Sequence, residues 1–162
     1  MKKIIAICIG CLIILLSVFL VIFLIGRKNS PEYTANTFLT TLYSEKPSAV
    51  VNTISEEDVA NYIEEEYANI TTENARKMMI ANRTIFRSVM YSLQNGTSSI
   101  TNVSLKKYNT GEGGTWYSYQ VTVSYSNGEE NTAVTYSGKL ELVQDKTWRI
   151  NKLIEEKPNY TN

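Results

Sequence analysis

Four tyrosines in the second half of the chain are the side chains best suited to binding chemistry. They recur at alternate positions within two polar stretches, and alternate side chains of a β-strand share one face of a sheet. Aromatic rings with hydroxyl tips suit a small apolar ligand, but the same rings more often serve as a hydrophobic core with hydroxyls at its rim. We therefore predict a ligand pocket, with core packing as the alternative, lined by Tyr117, Tyr119, Tyr125 and Tyr136.

One tryptophan falls on the opposite side of the same predicted strand. Trp116 precedes Tyr117, so its side chain points to the polar face of the sheet. An indole exposed on a polar face is typical of a protein contact. The sequence therefore predicts a partner-binding residue at Trp116.

Other chemistry is poorly represented. The chain contains no histidine, which excludes Ser-His and Cys-His nucleophilic catalysis and histidine-ligated metals. The acidic runs at 56–58 and 64–66 point in several directions around a helix, which is typical of solvated helix faces rather than of a cation site. We predict no catalytic residue, no metal site and no cofactor, and therefore no enzyme.

The chain begins with a segment that indicates a membrane anchor. Residues Ile4 to Gly26 form 23 uncharged, mostly apolar residues between Lys2-Lys3 and Arg27-Lys28. As a helix these residues would reach about 35 Å, enough to cross a hydrocarbon layer of about 30 Å. We predict a transmembrane anchor over residues 1–28, in contact with the lipid bilayer, and one domain over residues 29–162.

Charge and composition give the expected surroundings of that domain. Residues 29–162 contain 12 basic and 16 acidic residues, a net charge of −4, which argues against nucleic-acid binding. A short amino-terminal tail before a hydrophobic anchor usually stays in the cytoplasm, so we expect a single-pass plasma-membrane protein with its domain outside the cell. The abundance of Ile, Lys, Asn and Tyr favours a Gram-positive bacterium.

Helical patterns occupy the first half of the domain. Ser30-Pro31 and Ser55 are helix-start signals, and apolar residues follow each of them at helical spacing. A short helical piece is predicted at 48–54. Thr71 or Thr72 is predicted to begin one long helix that ends near Gln94, before Asn95-Gly96.

Strand patterns occupy the second half. Four runs of alternating apolar residues, the last with Trp148, Ile150 and Ile154, are separated by Gly- and Asn-rich turns. This order predicts an α+β domain in which about three helices pack on one face of a four-stranded antiparallel sheet.

The order of these elements resembles a known superfamily. Three helices, then four strands closing on Gln144-Asp145-Lys146-Thr147-Trp148-Arg149-Ile150, resemble the nuclear transport factor 2-like (cystatin-like) domains. The ending is similar to small bacterial membrane-anchored members and to the amino-terminal domain of some penicillin-binding proteins. The resemblance implies a cone-shaped α+β fold and no chemistry of its own.

Two functions without catalysis are consistent with this sequence, and an enzyme with carboxylates and tyrosines as its only acid-base groups is a third hypothesis. The first is a membrane-anchored extracytoplasmic domain without catalytic activity that binds an envelope protein or a small ligand. The second is a structural component of a machine similar to those of type IV secretion and conjugation, working as a homo-oligomer.

Overall fold

The computed structural model describes residues 29–44, 55–111, 113–128 and 131–161, which form four helices and five strands. The helices come first. They are α1 (Pro31–Tyr43), α2 (Glu56–Tyr67), α3 (Glu73–Ala81) and α4 (Phe86–Asn95). The strands follow as β1 (Thr97–Gly111), β2 (Gly114–Ser126), β3 (Asn131–Gln144), β4 (Trp148–Glu155) and β5 (Asn159–Thr161).

Hydroxyl side chains fix the starts of α1, α2 and α3. Ser30 accepts a hydrogen bond from the backbone N–H of Tyr33, and Ser55 accepts one from that of Asp58, each at 3.1 Å. Thr72 caps α3 in the same way. Such caps satisfy N–H groups that the first helical turn leaves without partners. The predicted starts at Ser30 and Ser55 are confirmed.

The single long helix predicted from Thr71 or Thr72 to Gln94 is wrong. The structure has two helices there, separated by a turn at 82–85 in which Arg83 adopts a positive φ of 49°. The turn carries Thr84 and Ile85 into the interior, where 4% and 0% of their surface is exposed. The apolar spacing runs across this turn without interruption, which is why periodicity alone joins the two helices.

The sheet is antiparallel with strand order β1-β2-β3-β4, and β5 pairs with the first part of β3. The predicted four-stranded meander is confirmed, and β5 is an addition that the sequence pattern does not indicate. Among the described strands, β1 and β4 lie at the two edges of this path. The long strand β1 carries two register irregularities, at 100–102 and 107–109.

One face of the sheet carries the core. All four helices contact the sheet or a neighbouring helix, and the buried residues of β2 alternate strictly with half-buried or exposed ones. The predicted α+β class, with helices on an antiparallel sheet, is therefore confirmed. The core includes Phe38, Leu39, Ile63, Tyr67, Ile85, Val121, Val123, Leu140 and Leu142.

An extra residue in β4 changes which side chains face inward. Ile150 pairs with Leu142 and Lys152 pairs with Glu141, so Asn151 stands between these pairs as a bulge. After the bulge the inward position passes to Leu153, which is 6% exposed, while Ile154 is 46% exposed. The prediction that Ile154 faces the core is therefore wrong.

Two predicted segments, the anchor over 1–28 and the helical piece at 48–54, lie outside the described residues. In the part of the chain that is described, we find no helix with the length and apolar character needed to cross a membrane.

Candidate functional site

The four tyrosines of the predicted pocket all lie on the inner face of the sheet. Their exposed fractions are 1% for Tyr117, 2% for Tyr119, 0% for Tyr125 and 4% for Tyr136. The first three alternate along β2, and Tyr136 comes from the neighbouring strand β3, where it pairs with Val121. The alternation in sequence therefore places these rings inside the domain, between the sheet and the helices.

Each of these hydroxyl groups has a partner within the protein. Tyr125 and Tyr136 share a hydrogen bond of 2.8 Å, Tyr119 contacts the hydroxyl of Tyr43 at 3.2 Å, and Tyr117 donates to Glu32. Tyr43 also stacks on Tyr136, with ring centroids 4.6 Å apart. In this state the four tyrosines are core residues with satisfied polar tips, and ligand binding by them stays a prediction.

A buried carboxyl group joins this network at the end of β4. The side chain of Glu155 is 7% exposed and accepts a hydrogen bond of 3.2 Å from Tyr43. Because Tyr43 has one hydroxyl proton and gives it to Glu155, the hydroxyl of Tyr119 donates to Tyr43. Arg87 lies on the other side of the carboxyl group, with Nε 3.8 Å from Oε2. We call these four residues the Glu155 cluster.

Separate elements position the Glu155 cluster. Tyr43 is the last residue of α1, Tyr119 lies in the middle of β2, Arg87 lies in the first turn of α4, and Glu155 ends β4. Sequence patterns alone do not indicate Tyr43, Arg87 or Glu155 as functional residues. The position of Glu155, two residues after the inward Leu153, could have indicated it only if the bulge in β4 were known.

Burial sets the protonation of this cluster. It raises the pKa of Glu155, while Arg87 and hydrogen bonds from Tyr43 and Thr84 oppose the rise. Burial also raises the pKa of Tyr43 and of Tyr119. Both phenols therefore stay protonated at neutral pH. The cluster offers hydroxyl donors and one carboxyl group, and no phenolate nucleophile.

The opposite, outer face of the sheet carries a second set of side chains. Trp116 is half-buried there and lies beside Tyr108, with ring centroids 6.3 Å apart. The ammonium group of Lys152 lies 5.6 Å from the centre of the indole ring, and that of Lys139 lies 5.8 Å from the ring of Tyr108. These distances are typical of cation–π contacts. We call these four residues the outer-face patch.

A buried acid lies under this patch. Glu141 is 5% exposed although it lies on the outer face, opposite Trp116 in β2 and Lys152 in β4. It accepts hydrogen bonds from Lys152 at 3.1 Å and from the bulge residue Asn151 at 2.8 Å. Its charge is thus compensated internally, and the patch presents aromatic rings and lysines to the outside.

A groove continues from the patch along the outer face. Its volume is about 300 Å³, and its walls are mostly hydroxyl, amide and charged groups. Ser137 in its wall donates a hydrogen bond of 2.9 Å to Glu156. The lining residues are Ser104, Lys106, Ser118, Tyr119, Gln120, Ser137, Gly138 and Glu156.

Metal binding has no support in the part of the chain that the structure describes. No three His, Cys, Asp or Glu side chains come together there in an arrangement that could hold a metal ion. The acidic runs predicted to be solvated face outward from α2, where residues 56–58 and 64–66 are exposed.

No protein-family model matches this chain, and no curated protein matches it either.

Proposed function

We propose that this chain is a single-pass membrane protein of a Gram-positive bacterium whose extracytoplasmic domain binds an envelope protein and carries no catalytic activity. The anchor is the apolar run from Ile4 to Gly26, and the domain is residues 29–162. The contact surface is the outer-face patch centred on Trp116.

The proposal includes membership of the nuclear transport factor 2-like superfamily, with its cone-shaped domain. The order of the elements supports this membership, because the helices precede the long antiparallel strands. The turn at 145–147 and the buried Ile150 in β4 support it as well, since they correspond to the sequence ending that carries the resemblance.

The position of Trp116 is the observation that carries the binding proposal. Protein interfaces are enriched in Trp and Tyr, and such residues often supply a large share of the binding energy. Trp116 is held between Tyr108 and Lys152, so its ring loses little conformational freedom on binding. Among the described residues, the helices contact the inner face and leave this ring on the other side of the sheet.

The charges near Trp116 indicate the chemistry of the partner. Lys106 and Lys139 are exposed on the same face, while Glu141, the cross-strand partner of Trp116, is buried and already paired. A partner that fits this surface has a pocket for an aromatic side chain with carboxylates around it.

Site-specific cross-linking in living cells tests the proposal. A photoreactive amino acid at Gln120, which is exposed on the outer face, should give one discrete protein adduct in the full chain. The matched control is the same amino acid at Lys77, whose side chain is 73% exposed on α3. The adduct should disappear in the Trp116→Ala variant. Equal adducts from both positions, or an adduct that does not depend on Trp116, would contradict the proposal.

The alternative, an assembly component of a secretion-like machine, predicts a different result in solution. Light scattering of the full chain in detergent should give the mass of one chain per particle if the domain binds a partner. A fixed oligomer of this chain alone would favour the assembly component, with the outer-face patch as a contact between copies.

A further inference from the structure

A groove lies beside the first residues of the domain. It has a volume of about 360 Å³ and mostly apolar walls. One wall is α1, where Tyr33 is 45% exposed, and the other wall is formed by Ile70 and the half-buried ring of Trp148. Asn29, the first described residue, lies on its rim.

The chain length between this groove and the apolar run is short. Gly26 ends the apolar run and Ser30 caps α1, so four residue steps separate them. Even when fully extended, four steps span at most about 14 Å. If residues 4–26 cross the bilayer, the start of α1 must lie within that distance of the membrane surface. The groove around Asn29 is then within reach of the lipid.

The side chains at the groove match this environment. Trp and Tyr are enriched where a membrane meets water, because each has an apolar ring and a polar group that stays hydrated. Tyr33 and Trp148 expose such rings on two sides of one apolar depression, and Ile70 lies on the same side as Trp148. We propose that this groove is seated on the bilayer surface, with Tyr33 and Trp148 in the headgroup region of the phospholipids. This inference rests on the proposed membrane anchor.

Charge has a minor part in this contact. Arg149, next to Trp148, is paired with Asp145 at 3.2 Å, and no charged side chain lines the groove among the described residues. The contact should therefore depend on apolar burial more than on attraction to anionic lipid. At about 1 M salt, where charges are screened beyond about 3 Å, it should persist.

Tryptophan fluorescence provides a direct test, since the chain has two tryptophans and residues 4–26 contain neither. The full chain is reconstituted into phosphatidylcholine–phosphatidylglycerol vesicles whose acyl chains carry bromine close to the headgroups. The Trp116→Phe variant reports Trp148, and the Trp148→Phe variant reports Trp116. Trp116 is the matched control because it lies on the opposite face of the sheet. We expect bromine to quench Trp148 about twofold more than Trp116, as interfacial burial of one indole requires.

The unsubstituted chain gives the same readout without any variant. Its emission should be quenched to an intermediate extent, both in low salt and in about 1 M salt. Equal quenching of the two indoles, or no quenching of the unsubstituted chain, would overturn the groove contact. An alkaline carbonate wash of the same vesicles separates the two proposals. If the wash removes the chain, the membrane anchor itself is wrong; if the chain stays and Trp148 is not quenched, only the groove contact is wrong.

Discussion

The ring of Tyr119 occupies the space that a side chain at position 138 would need. Tyr119 and Gly138 are cross-strand partners in β2 and β3. A Cβ atom at position 138 would lie 2.8 Å from Cε1 and from the hydroxyl oxygen of Tyr119, and 2.2 Å from the carbonyl oxygen of Ile154. The absence of a side chain at Gly138 therefore leaves space for the ring of Tyr119, which belongs to the Glu155 cluster.

The Gly138→Ala variant should consequently be destabilised. The methyl group cannot fit without moving the backbone of β4, and overpacking of this kind costs about 2 to 3 kcal/mol. Urea unfolding of the full chain in detergent measures the change. Gly113→Ala is the control, because its Cβ would meet only the side chain of Glu141 at an ordinary 3.6 Å. Equal free energies of unfolding of the two variants would contradict the predicted overpacking and would mean that the backbone of β4 moves at Ile154 at little energetic cost.

The buried carboxyl group of Glu155 should make folding depend on pH. Its pKa is raised by burial, so the folded state binds the proton more tightly than the unfolded chain does. The free energy of unfolding then falls as the pH rises from the ordinary glutamate value through the raised pKa. The Glu155→Gln variant has no carboxyl group to ionise at this position. As the pH rises over the same interval, its free energy of unfolding should therefore increase relative to that of the unsubstituted chain.

Glu73 supplies a control of opposite sign for that experiment. Its pKa is lowered by a hydrogen bond from Lys77 and by the charge of Lys77. The ionised carboxyl group therefore stabilises the folded state at pH values above the pKa of the unfolded chain, and this stabilisation is lost as the pH falls. Glu73→Gln should lose stability relative to the unsubstituted chain as the pH rises. Urea unfolding between pH 4 and pH 7, at roughly one-unit steps, separates the two trends. If the stability of both variants changed with pH in the same direction relative to the unsubstituted chain, the raised pKa of Glu155 and the lowered pKa of Glu73 could not both be correct.

The pair of hydroxyl groups at Tyr125 and Tyr136 should be energetically coupled. Their hydrogen bond of 2.8 Å is buried, so removing one hydroxyl leaves the other without this partner. Each single change to Phe should cost about 1 to 2 kcal/mol, and the double change should cost less than the sum by about 1 kcal/mol. Thermal unfolding of the four proteins in the cycle measures this coupling. Strict additivity would show that the two hydroxyls do not depend on each other.

The turn that separates α3 from α4 gives a fourth prediction. Arg83 is exposed and adopts φ 49°, a conformation that costs non-glycine residues about 1 kcal/mol. Arg83→Gly should therefore leave stability unchanged or raise it by about 0.5 kcal/mol after the entropy of the unfolded glycine is counted. The same change at Lys77, inside α3, should lower stability by about 1 kcal/mol. Chemical denaturation measures the free energy of unfolding of both variants. A loss of stability in Arg83→Gly as large as that in Lys77→Gly would contradict the positive φ at Arg83.

Local patterns in the sequence predict most of the fold, and the misses have identifiable causes. Alternation is enough to place Tyr117, Tyr119 and Tyr125 on one face and Trp116 on the other, because the period of a strand is two. The bulge at Asn151 breaks that period in β4, and no glycine or proline marks it. The turn at Arg83 is also unmarked in the sequence, because an arginine with positive φ has no sequence signature.

The Glu155 cluster depends on contacts that are distant along the chain, which local patterns cannot supply. Tyr43 and Glu155 are separated by 112 residues, and the partner of each becomes evident only when α1 has been packed on the sheet. A glutamate near the end of a predicted strand is ordinarily solvated, so its burial under Arg87 is a property of the tertiary structure.

The irregular edge strand has a consequence for a protein that we propose to be confined to a membrane surface. Molecules restricted to a plane meet one another far more often than in solution, and a long, regular free edge would allow strand to pair with strand from molecule to molecule. The two irregularities of β1, at 100–102 and 107–109, interrupt its ladder of backbone groups, and Lys106 and Lys107 place repelling charges between them. Strand β1 is therefore a poor template for strand pairing between neighbouring copies.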